Sequence, residues 1–308
     1  MAVAGNLLTK TRVVKVKLET EAGTKVAGDT AIYFEDAKLV ETSPVIERNG
    51  DGAYRGHSLP SVIGERSGKF TGTAEIRGSG SAGCDAGLAI LLQCCGLKKT
   101  LEVFNMYSTL ADDKTVSIDM WQSGRKLGLA GGSGTFVIRG ESGGRVLVDF
   151  EIDGVWQTPA DEAIPAWAPG SQKPFMNKGA TFTLDSNAIK ISQWTLTGGQ
   201  IVVPRRSVAA ASGIAHYSVA DMKPMFGCDP EADLVANYDY HGIFAAGTEK
   251  AISLIVTNGT DKCTIAIPKF QTTEKNEGDR DGLLTHELNG QCNHSSGNDA
   301  ITLTFAAA

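Results

Sequence analysis

A chain of 308 residues with 42% hydrophobic and 21% charged residues is long enough for two ordinary cores, and its composition is that of a globular protein. A net charge of -6 and a pI near 5.5 supply no general attraction for nucleic acid, which disfavours a nucleic-acid reader. No apolar run reaches the length of a spanning helix, and the opening residues MAVAGNLLTKTRVVKVKLE lack the basic cluster and apolar core of a signal peptide.

Strands are predicted wherever apolar and polar residues alternate between glycine, asparagine or aspartate turns. In chain order these are VVKVKLE at 13–19, GTFVIRG at 134–140, VLVDFEIDGVW at 146–156, TFTLD at 181–185, AISLIVTNG at 251–259 and ITLTF at 301–305. DAGLAILLQCCG at 85–96 is instead a helix. Leu88, Leu91, Leu92 and Cys95 recur at helical spacing, with Asp85 as N-cap and Gly96 as stop. Between 158 and 179, TPADEAIPAWAPGSQKPFMNKG holds four of the ten prolines and is expected as a linker or crossover.

The second half echoes the first. At an offset of 136, Val116-Ser117-Ile118 falls on Ile252-Ser253-Leu254, Lys126 on Lys262, Glu141 on Glu277, Leu147 on Leu283, Glu151 on Glu287 and Gly154 on Gly290, without a gap. Two weaker blocks extend the match toward the N-terminus. At offset 146, Ala74-Glu75-Ile76 falls on Ala220-Asp221-Met222 and Leu88 on Leu234; at 149, Asp36 falls on Asp185 and Ser43 on Ser192. A duplicated β-rich unit, with one helix per half, is the expectation.

Chemistry-bearing constellations are sparse. The six cysteines, at 84, 94, 95, 228, 263 and 292, form neither a disulfide framework nor a Cys-x-x-Cys pair, and are expected as small core hydrophobes in a reducing cytoplasm. The five histidines sit in unrelated contexts, and Cys292 with His294 has no structural-zinc spacing. The glycines of LAGGSGTF lack the lysine and following helix of a phosphate loop. No nucleophile elbow or carboxylate pair with converging geometry is present, so neither an enzyme, a cofactor nor a metal is expected.

The runs DTAIYFEDAKLVETSPVIERNGDGAYRGHSLPSVIGERSGKFTGTAEIRGSG, DAGLAILLQCCG and TVSIDMWQSGRKLGLAGGSGTFVIRGESGGRVLVDFEIDGVW resemble the tail tube (major tail) proteins of long-tailed bacteriophages. The features that carry the resemblance are Pro60 with Gly64, Leu91-Leu92 with Cys95-Gly96, and Phe150, Ile152, Gly154 and Trp156. It implies a mainly β fold of two tandem β-sandwich or rolled-sheet domains, each with a short flanking helix. The expected organisation is an N-terminal arm at 1–30, a first tube-like domain at 31–157, a linker at 158–180 and a second tube-like domain at 181–308.

The resemblance further implies a virion protein, made in the host cytoplasm, whose rings stack into the tube through which DNA leaves. Six copies of the fold per ring become three chains when each carries it twice; a hexamer of larger subunits is the alternative. Partners are then further copies of itself and the tail's terminator, tape measure and tip proteins, and DNA slides past without specific binding. Glu47 to Arg66 is predicted as a long loop between two strands, with a diverged counterpart at Gly199 to Ser212. Arg48, Tyr54, Arg55, His57, Arg66, Arg205 and Arg206 are candidate residues of a ring-to-ring or subunit interface, arginine being suited to forked contacts with carboxylates. A carbohydrate- or receptor-binding β-sandwich is the other class considered. It ordinarily shows clustered exposed aromatics, whereas aromatics are 7% of this chain and its four tryptophans are dispersed.

Overall fold

In Arg12–Leu18, alternation turns Val14 and Val16 inward while Lys15 and Lys17 stay at the surface, and this segment is the first strand, β1. The computed structural model describes residues 8–52, 58–168 and 170–308. With 57% strand and 6% helix, the protein is mainly β.

After β1 come β2 (Thr30–Ile32), β3 (Lys38–Glu41), β4 (Val45–Asn49), β5 (Ser58–Ile63) and β6 (Ser67–Glu75). Helix α1 (Ala86–Cys94) follows, then β7 (Leu97–Thr100), β8 (Val103–Met106), β9 (Val116–Gln122), β10 (Arg125–Glu141), β11 (Leu147–Trp156) and β12 (Ala160–Asp161). The predicted cap of α1 forms as expected: the Asp85 carboxylate accepts from the main-chain N–H of Gly87 and Leu88 at 3.0 and 3.2 Å. Gly96, at φ +84°, ends the helix in the left-handed region. Leu88, Leu91 and Leu92 are buried, and the helix packs against β1 and β2.

Strand order in this first half is β2-β1-β9-β10-β11-β6-β3, antiparallel throughout. Phe34 bridges to Ala74 of β6, so the run from β2 to β3 leaves β1 and joins β6, and the sheet rolls up on itself.

The second half contains β13 (Met176–Leu184), β14 (Asn187–Ala188), β15 (Ile191–Thr197), β16 (Gln200–Arg206), β17 (Ile214–Met222) and β18 (Met225–Pro230). Helix α2 (Tyr240–Ala245) precedes β19 (Lys250–Thr257), β20 (Asp261–Arg280), β21 (Leu283–Asn293) and β22 (Thr302–Ala307). Its order is β14-β13-β19-β20-β21-β18-β15, again antiparallel. Phe182 and Trp194 stack on Phe226 at 6.2 and 6.4 Å, and Phe270 meets the same ring edge-on at 6.0 Å. One continuous apolar core runs through both halves.

Several expected segments are placed differently. Within the stretch read as an N-terminal arm, β1 is paired along its whole length with β9. The stretch read as a linker ends in fully buried Phe175 and the start of β13. Glu47 to Arg66 is largely a two-stranded ribbon rather than a loop, because β4 and β5 pair from Val45 with Ile63 to Asn49 with Ser58. Gly199 to Ser212 likewise contains β16, which pairs with β17 in a second ribbon.

Although it breaks at the β10–β11 and β20–β21 hairpins, where Glu151 faces Thr135 but Glu287 faces Asn276, the offset of 136 survives at the β9–β10 and β19–β20 hairpins, where Trp121 opposite Lys126 falls on Thr257 opposite Lys262. The offset of 146 does not. Ala74-Glu75 belongs to β6 of the main sheet, whereas Ala220-Asp221-Met222 belongs to the β16–β17 ribbon. Leu234 is exposed and lies ahead of α2, whose N-cap is Asp239.

Candidate assembly interface

The two halves are joined edge to edge through β10. On one edge this strand carries β11; on the other it carries β9 as far as Gly132 and then β15 from Val137 to Glu141. Ile138 and Leu196 face each other across the seam, and both are fully buried. A second seam pairs β22 with β8, bringing Phe305 to 5.7 Å from Phe104 and 6.1 Å from Phe175. Beside it the buried Asp261 carboxylate accepts from Gly80 N–H at 2.8 Å and Ala82 N–H at 3.0 Å, fixing a loop of the first half to β20.

The β16–β17 ribbon leaves its own half and lies across the first. Gln200 Nε2 donates to Cys95 O at the end of α1 (2.8 Å), Ser133 Oγ of β10 donates to Tyr217 O (2.9 Å), and Ser218 Oγ donates to Asp113. Ile214 and Tyr217 pack on Val155 of β11. Glycine is required beneath the ribbon: a Cβ on Gly23, at φ +85°, would stand 2.1 Å from Ala215 O.

That floor is organised by one buried carboxylate. Glu19 Oε1 accepts from Ser117 Oγ at 2.6 Å and Gly131 N–H at 2.8 Å, while Oε2 accepts from Thr115 Oγ1 at 2.7 Å and Gly23 N–H at 2.8 Å. Four donors around one carboxylate hold the two glycine loops at a fixed distance from β9.

Three unpartnered features stand out among the described residues, beside the short outer strands β2, β7 and β14, each of which also has one free edge. No strand pairs with the edge of β3 opposite β6. Beyond Phe270, none pairs with the edge of β20 opposite β21. The β4–β5 ribbon stands away from both halves with Val45, Ile46, Leu59, Val62 and Ile63 each 44–60% exposed. A lone two-stranded ribbon carrying five exposed aliphatic side chains has little to stabilise it by itself and is the kind of apolar surface that interaction sites present. The open part of β20 is studded with Glu274, Lys275, Glu277 and Asp279, which guards an edge against indiscriminate pairing.

Of the residues singled out from sequence, Arg48 lies on β4 opposite Leu59, within the free ribbon. Tyr54, Arg55 and His57 lie outside the described residues. Arg66 sits at the foot of the ribbon, its guanidinium 3.7 Å from Glu41, and its main-chain N–H donates to Ser212 O at 2.9 Å. Arg205 and Arg206 are on the seated ribbon, and Arg206 pairs with Glu65 of the same chain at 2.5 Å. The structure thus gathers Arg66 and Arg206 at one seam and places Arg48 on the other ribbon. Sequence reasoning missed Glu19, Ser133, Gln200 and the apolar residues of β4 and β5; the adjacent β-branched pairs Val45-Ile46 and Val62-Ile63 were the available signal for the last.

All six cysteines are free and buried, and burial pushes the Cys263 and Cys292 thiols up to about 12. Among the described residues no group of three or more His, Cys, Asp or Glu side chains is arranged to hold a metal ion, and no helix is long and apolar enough to cross a membrane. No protein-family model matches the chain, and no curated protein matches it in sequence.

Proposed function

We propose that the chain is a structural virion protein whose copies form rings, stacked into a phage tail tube that conducts DNA. On this reading the chain carries one tube-like unit twice, and three chains close a ring of six units; six chains per ring is the alternative. The observation that carries it is the pairing order. Strands β2-β1-β9-β10-β11-β6-β3 correspond term by term to β14-β13-β19-β20-β21-β18-β15, each set with one helix ahead of its first hairpin strand and one ribbon inserted before the sixth strand.

The seam between the units joins the late edge of β10 to β15. Its counterparts, the late edge of β20 and the outer edge of β3, are both without a partner among the described residues. Such non-identical complementary edges join copies head to tail, and a head-to-tail contact closes into a ring or runs on as a filament. Edges of a β-rich chain are thereby covered in the assembly. The acidic balance suits a lumen past which a polyanion slides. Terminator, tape-measure and tip proteins would be its neighbours in the virion.

Negative-stain microscopy with native mass measurement at rising protein concentration tests this. Rings of three chains or tubes are expected. A protein that stays monomeric at high concentration, or forms only a twofold dimer, overturns it.

A further inference from the structure

We infer that the β4–β5 ribbon is a lateral clamp that lies across the second half of a neighbouring copy of this same chain, within one ring. This rests on the ring reading above. Of the two interfaces the sequence left open for this segment, ring-to-ring or between subunits, it selects the second.

The inference comes from what the other ribbon does. Four contacts seat β16–β17 on the first half: Cys95 at the end of α1, Asp113 just ahead of β9, Ser133 in β10 and Val155 near the end of β11. The second half offers a place of the same kind for each: Gly247 after α2, Glu249 just ahead of β19, Lys269 and Gln271 in β20, and Gln291 with Asn293 near the end of β21. These four places also meet in space. Gln271 Nε2 donates to Gly247 O at 3.0 Å, Gln291 Nε2 to Gln271 Oε1 at 2.8 Å, and Asn293 Nδ2 to Glu249 Oε1 at 2.8 Å. The second half therefore presents an uncovered pad of amides and a carboxylate where the first half is covered by a ribbon.

The chain also carries an element that fits this pad. The β4–β5 ribbon occupies the same place in the chain order as β16–β17, between the strand that closes the roll and the one after it. It carries aliphatic residues that stay exposed among the described residues. It does not reach its own chain's second half by the route β16–β17 uses, because the seam that brings a ribbon onto a neighbour joins β15 to β10, and β3 has no such partner among the described residues. A second copy supplies both. When β20 of one copy meets β3 of the next, the ribbon leaving β3 is carried onto the pad beside β20. Two adhesive elements then act at one joint, which raises the effective concentration of each for its site.

Cysteine crosslinking tests the placement, and the burial of all six native cysteines leaves them out of reach. The variant Ser61→Cys on the ribbon is combined with Gln291→Cys, and separately with Glu249→Cys, on the pad; all three positions are exposed. A short bis-maleimide is added to assembled protein. Crosslinked chains are expected in at least one double variant and in neither single variant. A second measurement uses Ile46→Asp with Val62→Asp, expected to keep the monomer's melting temperature and lose assembly. Rings that form normally yet yield no crosslink, or a folded Ile46→Asp, Val62→Asp variant that assembles as the wild type does, would overturn the clamp and leave the ring reading standing. Failure of the unmodified chain to assemble at all would sink both.

Discussion

Replacing Glu19 by glutamine is expected to destabilise the fold by about 2–4 kcal/mol. The carboxylate accepts four hydrogen bonds, and each oxygen faces one hydroxyl and one main-chain N–H. A glutamine keeps one oxygen and turns a donor toward the other pair. The hydroxyl there rotates and accepts, but the N–H of Gly23 or Gly131 cannot, and one buried N–H without an acceptor costs about 1–3 kcal/mol. The two bonds kept by the remaining oxygen lose charge assistance, roughly 1 kcal/mol each, which the relief of burying a charge partly offsets. For a chain of this size the total corresponds to a melting temperature lower by about 3–6 °C. Urea unfolding of Glu19→Gln against wild type, with unchanged m, measures it. Because Gly23 and Gly131 form the floor under the seated ribbon, amide exchange in β16–β17 should rise in the same variant. A loss of stability below about 0.5 kcal/mol would refute the reasoning, since it would mean the four donors find equal partners elsewhere.

Asp261→Ala strips the acceptor from Gly80 and Ala82 N–H, and is expected to cost about 2–4 kcal/mol. Hydrogen exchange should show those two amides losing protection while the β19–β20 hairpin keeps its own; unaltered protection at Gly80 and Ala82 would contradict the assignment. Acid should also weaken the fold above the carboxylate range. Burial, then Lys275 and His241, hold His286 below the usual histidine value against the pull of Glu277, and burial with Arg205 does the same to His216. The folded chain then binds fewer protons than the unfolded one, so stability is full above the ordinary histidine pKa and falls as pH drops toward the depressed folded values. Urea midpoints between pH 7.5 and 5.5 should decline, and His286→Leu should flatten that slope; an identical slope in the variant would count against His286 as a source.

Much of the architecture is legible in the sequence because alternation is a local property. The predicted strands at 134–140, 146–156, 181–185, 251–259 and 301–305 fall on β10, β11, β13, β19 and β22, and Asp85 with Gly96 bounds α1. The register of 136 was readable where the paired hairpins differ by no insertion. It broke upstream because the ribbons differ in length, Val45 to Ile63 against Gln200 to Met222, and because β7 and β8 have no counterpart between α2 and β19. Sliding glycine and aliphatic matches across such unequal inserts aligns a core strand with a ribbon. The interface was less legible still. Arginines drew notice for their chemistry, but what seats a ribbon here is a serine, a glutamine and a few glycines, whose significance lies in close approach and appears only when two distant segments are brought together.

The pairing of β8 with β22 also bears on how the chain folds as it is made. Val103 to Asn105 meets Thr302 to Thr304, so a hairpin near the start must wait for roughly two hundred further residues before its edge is covered. During that interval β10 likewise shows its late edge, since β15 has yet to appear. A growing chain on a crowded polysome therefore displays the same kind of unfilled edge that the finished protein keeps on β20, and neighbouring nascent chains could pair through it prematurely. Holding that edge until β15 arrives is a task for the translation rate and for whatever chaperones attend it, and slowing synthesis between β11 and β15 should raise aggregation of the product.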